Sequence, residues 1–448
     1  MVRRSILACA LLVIAVGIGR NSVDAASDTD SYLYTAANSY EPLAWMHGGE
    51  RFPAGATIMV SDAKGKHPLV AEFAASADAS LSFDGQLVLF AGKKRTGDHW
   101  QIWQVPAPGG EAKRVSSGDD DCIRPFDLPD DRVVYARKQG ERFVIEAADL
   151  SGGKPLALTY GPASFLPADV LRDGRVLFES GFPLGSDARP ELYTVYPDGS
   201  GIESYRCDHN NVHHEGRQVG TGDIVFASRT GLRRFTSARA QEIQIAAPKG
   251  EYAGDVAEMP SGEWLLAWRL DGSVPFRLVA WSPDSSVLRA VDSQEGVNLL
   301  QPVVLRERIV PKRFPSGLHD WNHANLLCLN AYTSKYTFAP GSIHEVRFYA
   351  HDIGGGSRLL GTAPVEHDGS FFVQVPTEQA IQMELLDSSG KTIKRESGYF
   401  WMRRGEQRVC VGCHAGPETA PENAVPAILL KSTTPADMTG AGNASGGH

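Results

Sequence analysis

The sequence predicts an all-β protein: a six-bladed β-propeller followed by a small β-sandwich-like domain. A turn-and-strand pattern recurs at a period typical of propeller blades, and its rhythm changes before the C-terminal third of the chain. The 448 residues include 46 Gly and 27 Pro, as expected of many short strands joined by tight turns. We place the propeller at 26–317, the second domain at 318–432 and a disordered tail at 433–448.

Residues 1–25 are predicted to be a cleaved signal peptide. Arg3 and Arg4 form a charged start, residues 6–18 are apolar, and Val23-Asp24-Ala25 offers a small-residue cleavage site. A membrane anchor is the weaker alternative, because roughly twenty apolar residues are needed to cross a bilayer. We therefore expect a periplasmic or otherwise exported protein with no transmembrane segment after cleavage. The formal net charge of −9, without a basic stripe, argues against nucleic acid as a partner.

The propeller repeat consists of an Asp/Gly-rich turn, a strand ending in an aromatic residue, a gap and a second apolar strand. Gly85 and Gly262 lie in the first and last of five such turns, and the 177 residues between them give about 44 residues per interval. That spacing matches one four-stranded blade. We expect residues 303–310 and strands near 43–60 to complete a sixth blade, because an open ring would expose strand edges.

The second domain begins after Phe314-Pro315-Ser316-Gly317, where strands become more closely spaced. Apolar strands at 326–329, 343–349, 371–375 and 381–386, separated by Gly-containing turns, fit a small β-sandwich of roughly 80 residues. The residues after 433 are small, polar and rich in glycine, which is typical of a disordered tail.

Cys410-Val411-Gly412-Cys413-His414 is the strongest chemical motif, because C-x-x-C-H is the attachment sequence for c-type haem. We expect thioether bonds from Cys410 and Cys413 to one covalent haem, with His414 as an axial iron ligand. A disulfide, a thioredoxin-like redox pair and half of a zinc site are the alternatives. The redox pair would need a βαβ context and the zinc site further paired ligands, neither of which the sequence provides.

The second axial ligand is left open by the sequence. Only 34 residues follow His414, whereas an independent haem domain needs roughly 80 residues to bury its haem. We therefore expect the haem to pack against both the sandwich and the propeller. Met402, eight residues before Cys410, is the nearest sulfur and a candidate distal ligand, although a role in the core is the favoured interpretation. An open iron position would permit ligand binding or catalysis, and a closed one would favour electron transfer.

A second group of potential ligands lies within the propeller: Cys207, His209, His213 and His214 fall within eight residues. Cysteine and histidine are the usual ligands of zinc, so a second metal site is one interpretation. A polar loop between two blades is the other. The sequence leaves open whether Cys122, Cys207 and Cys328 pair or bind metal.

Several segments of the sequence resemble a known protein family. Residues 366–376 (EHDGSFFVQVP), 385–387 (LLD) and 405–414 (GEQRVCVGCH) resemble the middle domain of the hydrazine synthase alpha-subunit family, and the Pro197-Asp198-Gly199-Ser200 turn resembles TolB-type propellers. The resemblance implies a haem between a six-bladed propeller and this domain, used with other haems to join nitrogen compounds. Of that family's haem site, only Cys410, Cys413 and His414 carry over. A single C-x-x-C-H and the absence of any tyrosine after Tyr399 argue against hydrazine synthesis itself.

Two functional hypotheses follow. One is an exported monohaem c-type cytochrome-like protein that performs electron transfer or small-molecule redox chemistry with a redox partner protein or a small inorganic substrate. Whether it would be an enzyme is left open. The other is a protein-binding propeller in which the haem is structural or sensory.

Overall fold

Strands make up nearly all the regular structure of the computed structural model, which describes residues 31–107, 109–181, 189–206, 212–238, 240–334, 336–396, 398–412 and 423–440. Within these ranges the chain forms 33 strands, one short α-helix (α1, Ala427–Lys431) and one 3-10 turn (Ala44–His47). Neither described helix is long and apolar enough to cross a membrane. The predicted all-β class is confirmed.

Residues 32–304 form a six-bladed propeller in which each blade is one antiparallel sheet. The strands are β1 (Tyr32–Ala37), β2 (Thr57–Asp62), β3 (Gly65–Pro68), β4 (Ala75–Leu81), β5 (Leu87–Lys93), β6 (Gln101–Pro106), β7 (Lys113–Arg114), β8 (Cys122–Leu128), β9 (Arg132–Gln139), β10 (Arg142–Asp149), β11 (Leu156–Ala157), β12 (Ser164–Val170), β13 (Val176–Gly181), β14 (Pro190–Val195), β15 (Glu203–Ser204), β16 (His214–Gln218), β17 (Ile224–Ser228), β18 (Gly231–Phe235), β19 (Ile243–Gln244), β20 (Glu251–Tyr252), β21 (Ala257–Glu258), β22 (Trp264–Arg269), β23 (Arg277–Trp281), β24 (Arg289–Asp292) and β25 (Asn298–Val304).

Blades 2 to 5 each use four consecutive strands: β4–β7, β8–β11, β12–β15 and β16–β19. In blade 6, the short strands β20 and β21 both pair with β22, which continues to β23 and β24. The predicted Asp/Gly turns lie between the first and second strands of the blades. Strands such as β13 are buried along their whole length because other blades cover both faces, which explains their continuous apolar runs.

Blade 1 closes the ring by joining the two ends of the propeller. Its innermost strand is β25, which pairs antiparallel with β1, followed by β2 and β3. The predicted closure by chain ends is therefore correct, but the predicted segments are only partly right: β2 overlaps residues 43–60 and β25 overlaps residues 303–310, whereas β1 was not predicted. Strand β25 ends at Val304, and the closing partner is Tyr32–Ala37 because this segment and β25 are mainly apolar and buried.

The second domain is a sandwich of two four-stranded sheets, with orders β32-β26-β29-β33 and β28-β27-β30-β31. Its strands are β26 (Ala324–Cys328), β27 (Glu345–His351), β28 (Ser357–Pro364), β29 (Phe371–Val375), β30 (Ala380–Leu386), β31 (Thr392–Arg395), β32 (Gln407–Cys410) and β33 (Ala436–Asp437). Phe348, Phe371 and Val373 belong to the apolar core of this domain. The predicted fold class, a propeller followed by a sandwich, is confirmed.

The predicted disordered tail is wrong for its first residues. Strand β33 pairs parallel with β29, and the Met438 side chain is buried in the sandwich core. Met438 lies against Gly361, where a Cβ would come within 2.6 Å of its sulfur, so one apolar residue in a polar segment anchors the chain. Residues 441–448 lie outside the described ranges.

The linker between the domains, residues 305–323, follows the propeller face that carries the Asp/Gly turns. The Arg308 backbone N–H donates to the Phe83 carbonyl (2.8 Å), and that of Lys312 donates to the Arg172 carbonyl (3.0 Å). Gly174 has φ +87°, and a Cβ there would collide with the Lys312 carbonyl oxygen. The linker therefore packs on blades 2 to 4 and brings the sandwich to the side of blades 3 and 4.

Candidate functional site

The first cysteine of the haem motif ends an edge strand of the sandwich. Cys410 is the last residue of β32, which runs parallel to β26 with Cys410 opposite Cys328. The Leu329 backbone N–H donates to the Cys410 carbonyl at 2.9 Å. The Cys410 side chain is half-buried and carries a free thiol. A rigid sheet therefore holds this thiol in place.

Gly412, between the two motif cysteines, lies too close to a neighbouring loop for any side chain. A Cβ at this position would collide with the Thr333 carbonyl oxygen and lie 2.9 Å from the Asn330 carbonyl oxygen. The chain can pass this loop only because residue 412 is glycine. Cys413 and His414, which follow it, lie outside the described residues.

The environment of Cys410 keeps its thiol protonated. Burial raises the pKa of Cys410, and the Glu406 and Glu203 carboxylates raise it further, against the opposing effect of Arg408. Thioredoxin-like cysteine pairs have a lowered thiol pKa, because the thiolate is the reactive form. This site has the opposite electrostatics, which disfavours the redox-pair interpretation.

Glu406 ties the haem-motif strand to the propeller. Its carboxylate accepts hydrogen bonds from the Gly201 backbone N–H (3.1 Å) in blade 4 and from the Arg403 backbone N–H (2.8 Å). The same carboxylate pairs with the Arg408 guanidinium at 2.7 Å. The side chain is almost fully buried. Because β32 starts one residue later, the position of Cys410 depends on contacts with both domains.

Trp401 is the main apolar contact between the domains. Its side chain is 2% exposed and packs in the propeller core, with its ring centroid 5.4 Å from that of Phe165 and 6.3 Å from that of Tyr160. Its indole Nε1–H donates to the Leu158 carbonyl at 3.1 Å. A sandwich residue therefore fills a position in the core between two blades.

A polar contact and a close approach extend this interface. The Arg403 guanidinium donates to the Tyr160 hydroxyl and, at 2.7 Å, to the Glu378 carboxylate. A Cβ on Gly161 of the propeller would lie 2.8 Å from the Ala380 Cβ. The two domains therefore meet in a packed surface next to the haem-motif strand.

Sequence reasoning missed a stack of three rings in the linker. The Trp321 ring lies between the imidazoles of His319 (4.5 Å, 11° between planes) and His323 (5.4 Å, 17°). Gly405 holds this segment, since it accepts from the His319 backbone N–H (3.0 Å) and donates to the His323 carbonyl (2.9 Å). The alternating spacing of these rings, typical of extended chain, was the available signal. Trp321 remains 40% exposed.

Met402, the candidate distal ligand, is fully buried in the sandwich core, and Cys410 packs against the same cluster. Its role as a ligand stays a prediction. Three histidines belong to the same domain: His344 and His367 are exposed, and the His351 ring contacts Tyr399 at 4.6 Å.

The second group of potential ligands is only partly described. Cys207 and His209 lie outside the described residues. The buried His213 bonds to the Glu242 carboxylate through Nε2 (2.7 Å) and lies edge-on to Phe226. Burial lowers the pKa of His214 to about 4, so this imidazole is neutral at pH 7. Among the described residues, no group of three or more His, Cys, Asp or Glu could hold a metal ion, and the zinc site stays a prediction.

A buried ionic network, also missed by the sequence analysis, fills the propeller axis. It is built by inner-strand residues with positive φ at strand irregularities, where the side chain turns towards the axis. These residues are Asp78 (58°), Arg124 (59°), Glu215 (54°), Asp255 (53°) and Gln301 (53°). Arg51, from the segment between β1 and β2, enters the same network and pairs with Asp78 and, at 2.8 Å, with Glu215.

Arg124 and Asp255 form the centre of this network. The Arg124 guanidinium binds both Asp255 oxygens (2.9 and 2.5 Å) and also pairs with Glu215. Although burial opposes ionisation, Arg124 and Arg217 hold the pKa of Asp255 well below its usual range. Burial and the nearby Glu215 raise the pKa of Glu179, a fourth carboxyl beside the network, well above normal. The network thus brings together three guanidiniums, those of Arg51, Arg124 and Arg217, and three carboxyl groups, those of Asp78, Glu215 and Asp255. Burial raises the pKa of Glu215 to about 7.

The fold and this site define a class: an all-β protein in which a six-bladed propeller is packed against a sandwich that carries a C-x-x-C-H motif. Within that class, residues 345–415 match the family described as the hydrazine synthase alpha subunit middle domain. The predicted resemblance to this family is therefore confirmed. No curated protein sequence matches the chain.

Solved structures with a similar fold include Kuenenia stuttgartiensis hydrazine synthase, with a TM-score of 0.75 and 16% sequence identity over 90% of this chain and 71% of that chain. TolB from Acinetobacter baumannii has a TM-score of 0.46 and 14% identity over 63% of this chain and 67% of that chain. At such identities the first likeness concerns the fold, and it extends over both domains.

Proposed function

We propose that this chain is an exported, monohaem c-type cytochrome-like redox protein on a β-propeller scaffold. Cys410 and Cys413 would hold one haem through thioether bonds, with His414 as an axial ligand of the iron. The observation that carries the proposal is the free Cys410 thiol, placed at the end of a sheet strand beside the packed interface of the two domains. The match of residues 345–415 to the hydrazine synthase alpha middle domain supports it.

The described residues fit a group attached at this point. Cys410 is fixed by β26, and Gly412 lets the chain turn past the Asn330–Thr333 loop towards the second cysteine. A bound haem would supply one-electron redox chemistry, whose potential depends on axial ligands, burial and hydrogen bonds. The residues of this chain contribute a rigid attachment point and, through Trp401 and the sandwich core, a region from which water is excluded.

The proposal includes a partner with which the haem exchanges electrons. Either a redox partner protein or a small inorganic molecule would exchange electrons with the haem. Reduced and oxidised absorption and EPR spectra of the purified protein distinguish the two modes, because an iron with an open position binds added ligands such as cyanide or nitric oxide. A six-coordinate, ligand-resistant iron would favour electron transfer.

Haem attachment is tested by producing the full chain in a bacterial host that carries a c-type haem maturation system. The expected product is red, retains haem on a denaturing gel and has the mass of one added haem. The Cys410→Ala variant should lose the thioether at that position. Cys328→Ala, at the neighbouring position of the adjacent strand, is the matched control and should retain the haem. A folded but colourless wild-type protein would refute the proposal.

Export is tested separately by fractionating the same host and sequencing the N-terminus of the mature protein. We expect the protein in the periplasm, beginning near residue 26. A cytoplasmic protein with an intact N-terminus would contradict export.

A further inference from the structure

The cysteine that ends the haem-motif strand lies directly beside a second cysteine. Cys328 is the last residue of β26 and Cys410 the last residue of β32, and the two are paired in the parallel register of these strands. Both side chains are thiols. Cys122, the other cysteine within the described ranges, lies in blade 3 of the propeller. Among the described cysteines, Cys328 is therefore the neighbour of Cys410.

The two thiols point to the same face of the sheet. Cys328 is 3% exposed and belongs to the apolar core of the sandwich, and Cys410 packs against the same cluster. The preceding pair in the register, Leu327 and Val409, points the other way because successive side chains alternate, and Val409 is 59% exposed. The sulfurs of Cys328 and Cys410 therefore lie on the core side of the sheet.

The spacing of the two strands suits a disulfide bond. Neighbouring strands lie about 4.7–4.9 Å apart, and disulfides join Cα atoms that are about 4.4–6.8 Å apart. Because each cysteine is the last residue of its strand, the side chains can turn towards each other without disrupting the pairs that precede them.

Contacts next to the pair hold the two segments together. The Leu329 backbone N–H donates to the Cys410 carbonyl at 2.9 Å. Gly412 lies so close to the loop after β26 that a Cβ there would be 2.9 Å from the Asn330 carbonyl oxygen. The fold therefore keeps the two cysteines adjacent, which makes a reaction between them effectively intramolecular.

We propose that Cys328 and Cys410 form a reversible disulfide in the haem-free chain and that this bond controls haem attachment. The inference rests on the proposed function, because it takes Cys410 as a haem cysteine and places the chain in an oxidising compartment, where disulfides persist. A thioether bond needs the Cys410 thiol. The oxidised chain therefore cannot be joined to haem at this position until a reductant opens the disulfide.

The bond forms by exchange with an oxidant that itself carries a disulfide, such as an oxidised dithiol protein or oxidised glutathione. The thiolate of Cys410, the more exposed of the two, attacks the disulfide of the oxidant and releases one of its sulfurs as a thiol. The Cys328 thiolate then displaces the second sulfur of the oxidant. Overall, the cysteines lose two protons and two electrons, and the oxidant gains them as two thiols. A reducing dithiol reverses both steps.

The surroundings of Cys410 make this disulfide slow to exchange. Burial raises the pKa of Cys410, and the thiolate is the attacking form. The same burial withholds from the reduced state the stabilisation that makes low-pKa cysteine pairs strong oxidants. Once formed, the disulfide should therefore persist until a reductant is supplied.

The full chain made without a haem maturation system tests the disulfide in buffers of reduced and oxidised glutathione. Remaining thiols are blocked with N-ethylmaleimide, and tryptic peptides are analysed without reduction by mass spectrometry, with fragmentation between Cys410 and Cys413 to assign the linked sulfur. At oxidising ratios we expect two peptides joined through Cys328 and Cys410, which dithiothreitol separates. Three results would each overturn the proposal: alkylation of both cysteines, a glutathione adduct that remains on Cys410, or a bond only between Cys410 and Cys413.

Three variants make the result specific. Cys413→Ala should retain the cross-link, and Cys328→Ala should lose it. Cys122→Ala, in the propeller, is the control and should retain it. Circular dichroism spectra that match the wild type show that each variant is folded. Loss of the cross-link in Cys413→Ala would contradict a bond between Cys328 and Cys410.

Control of haem attachment is measured in a host that carries a maturation system. Added dithiothreitol should raise the haem content of the wild type more than that of Cys328→Ala, and equal responses would refute this control. The cross-link is measured on haem-free protein, so its absence refutes the disulfide alone. A colourless wild-type product of the maturation host refutes the proposed haem instead.

Discussion

Replacing Trp401 with alanine should weaken the packing of the sandwich against the propeller and lower the free energy of unfolding. The indole is 2% exposed, packs on Phe165 and Tyr160, and donates to the Leu158 carbonyl. Loss of a buried tryptophan side chain costs about 3–5 kcal/mol. Trp401→Phe keeps most of the apolar contact but leaves the buried Leu158 carbonyl without its donor, which should cost about 1–3 kcal/mol. The difference between the variants measures the packing contribution.

The assay is urea unfolding followed by circular dichroism, together with limited proteolysis of the linker. We expect Trp401→Ala to shift the sandwich transition to lower urea and to accelerate cleavage between residues 305 and 323. Trp321→Ala is the matched control, because Trp321 lies in the linker and is 40% exposed; it should change stability by less than about 0.5 kcal/mol. If Trp401→Ala lowered stability by no more than the control, Trp401 would not couple the domains.

Three further predictions concern the axis, the linker face and the haem motif. Arg124→Met should destabilise the propeller by about 3–5 kcal/mol, because it leaves buried carboxylates unpaired. The exposed control Arg229→Met should change the unfolding free energy little. Equal urea midpoints for the two variants would contradict this prediction. Burial raises the pKa of Asp127 to about 6, so ionisation of this carboxyl opposes folding, and its contribution should lower the stability of the wild type relative to Asp127→Asn as the pH rises from about 4 to 6. Asp127→Asn should remove this contribution and be about 1–2 kcal/mol more stable than the wild type at pH 7. The measurement is the free energy of unfolding of both proteins at several pH values. Parallel pH profiles of the two proteins would refute the assignment. Gly412→Ala should force the Thr333 loop apart, costing about 1–3 kcal/mol and lowering the yield of covalent haem on denaturing gels; an unchanged yield and stability would show that the loop adapts.

The repeat of the propeller could be recognised from the chain because each blade is a local unit. Turns such as that at Gly85 and apolar runs such as Val176-Leu177-Phe178 recur at a nearly constant interval, and strand pairing within a blade is between neighbours in sequence. The exception was blade 1, whose strands β25 and β1 come from opposite ends of the propeller. Their pairing depends on ring closure, so no local spacing marks their register.

The haem motif could be recognised because its chemistry depends on adjacent residues in one short segment. The residues that surround the motif in the folded protein could not be predicted from the sequence. Glu406 binds Gly201, and Trp401 binds Leu158, across 205 and 243 positions respectively. Only the packing of the sandwich on blades 3 and 4 brings these partners together, and the requirement for glycine at Gly412 likewise comes from a loop that precedes it by about 80 residues.

The sequence alone therefore determined the all-β class, the blade repeat and the location of the C-x-x-C-H motif, because periodicity and short motifs are local properties of a chain. Only the tertiary structure decided which charges meet at the axis. Arg51, Arg124, Glu215 and Asp255 come from different blades or loops, and each is an ordinary surface residue type when seen in sequence. Ring closure buries them at one point, where the cost of removing each charge from water leaves only paired arrangements stable.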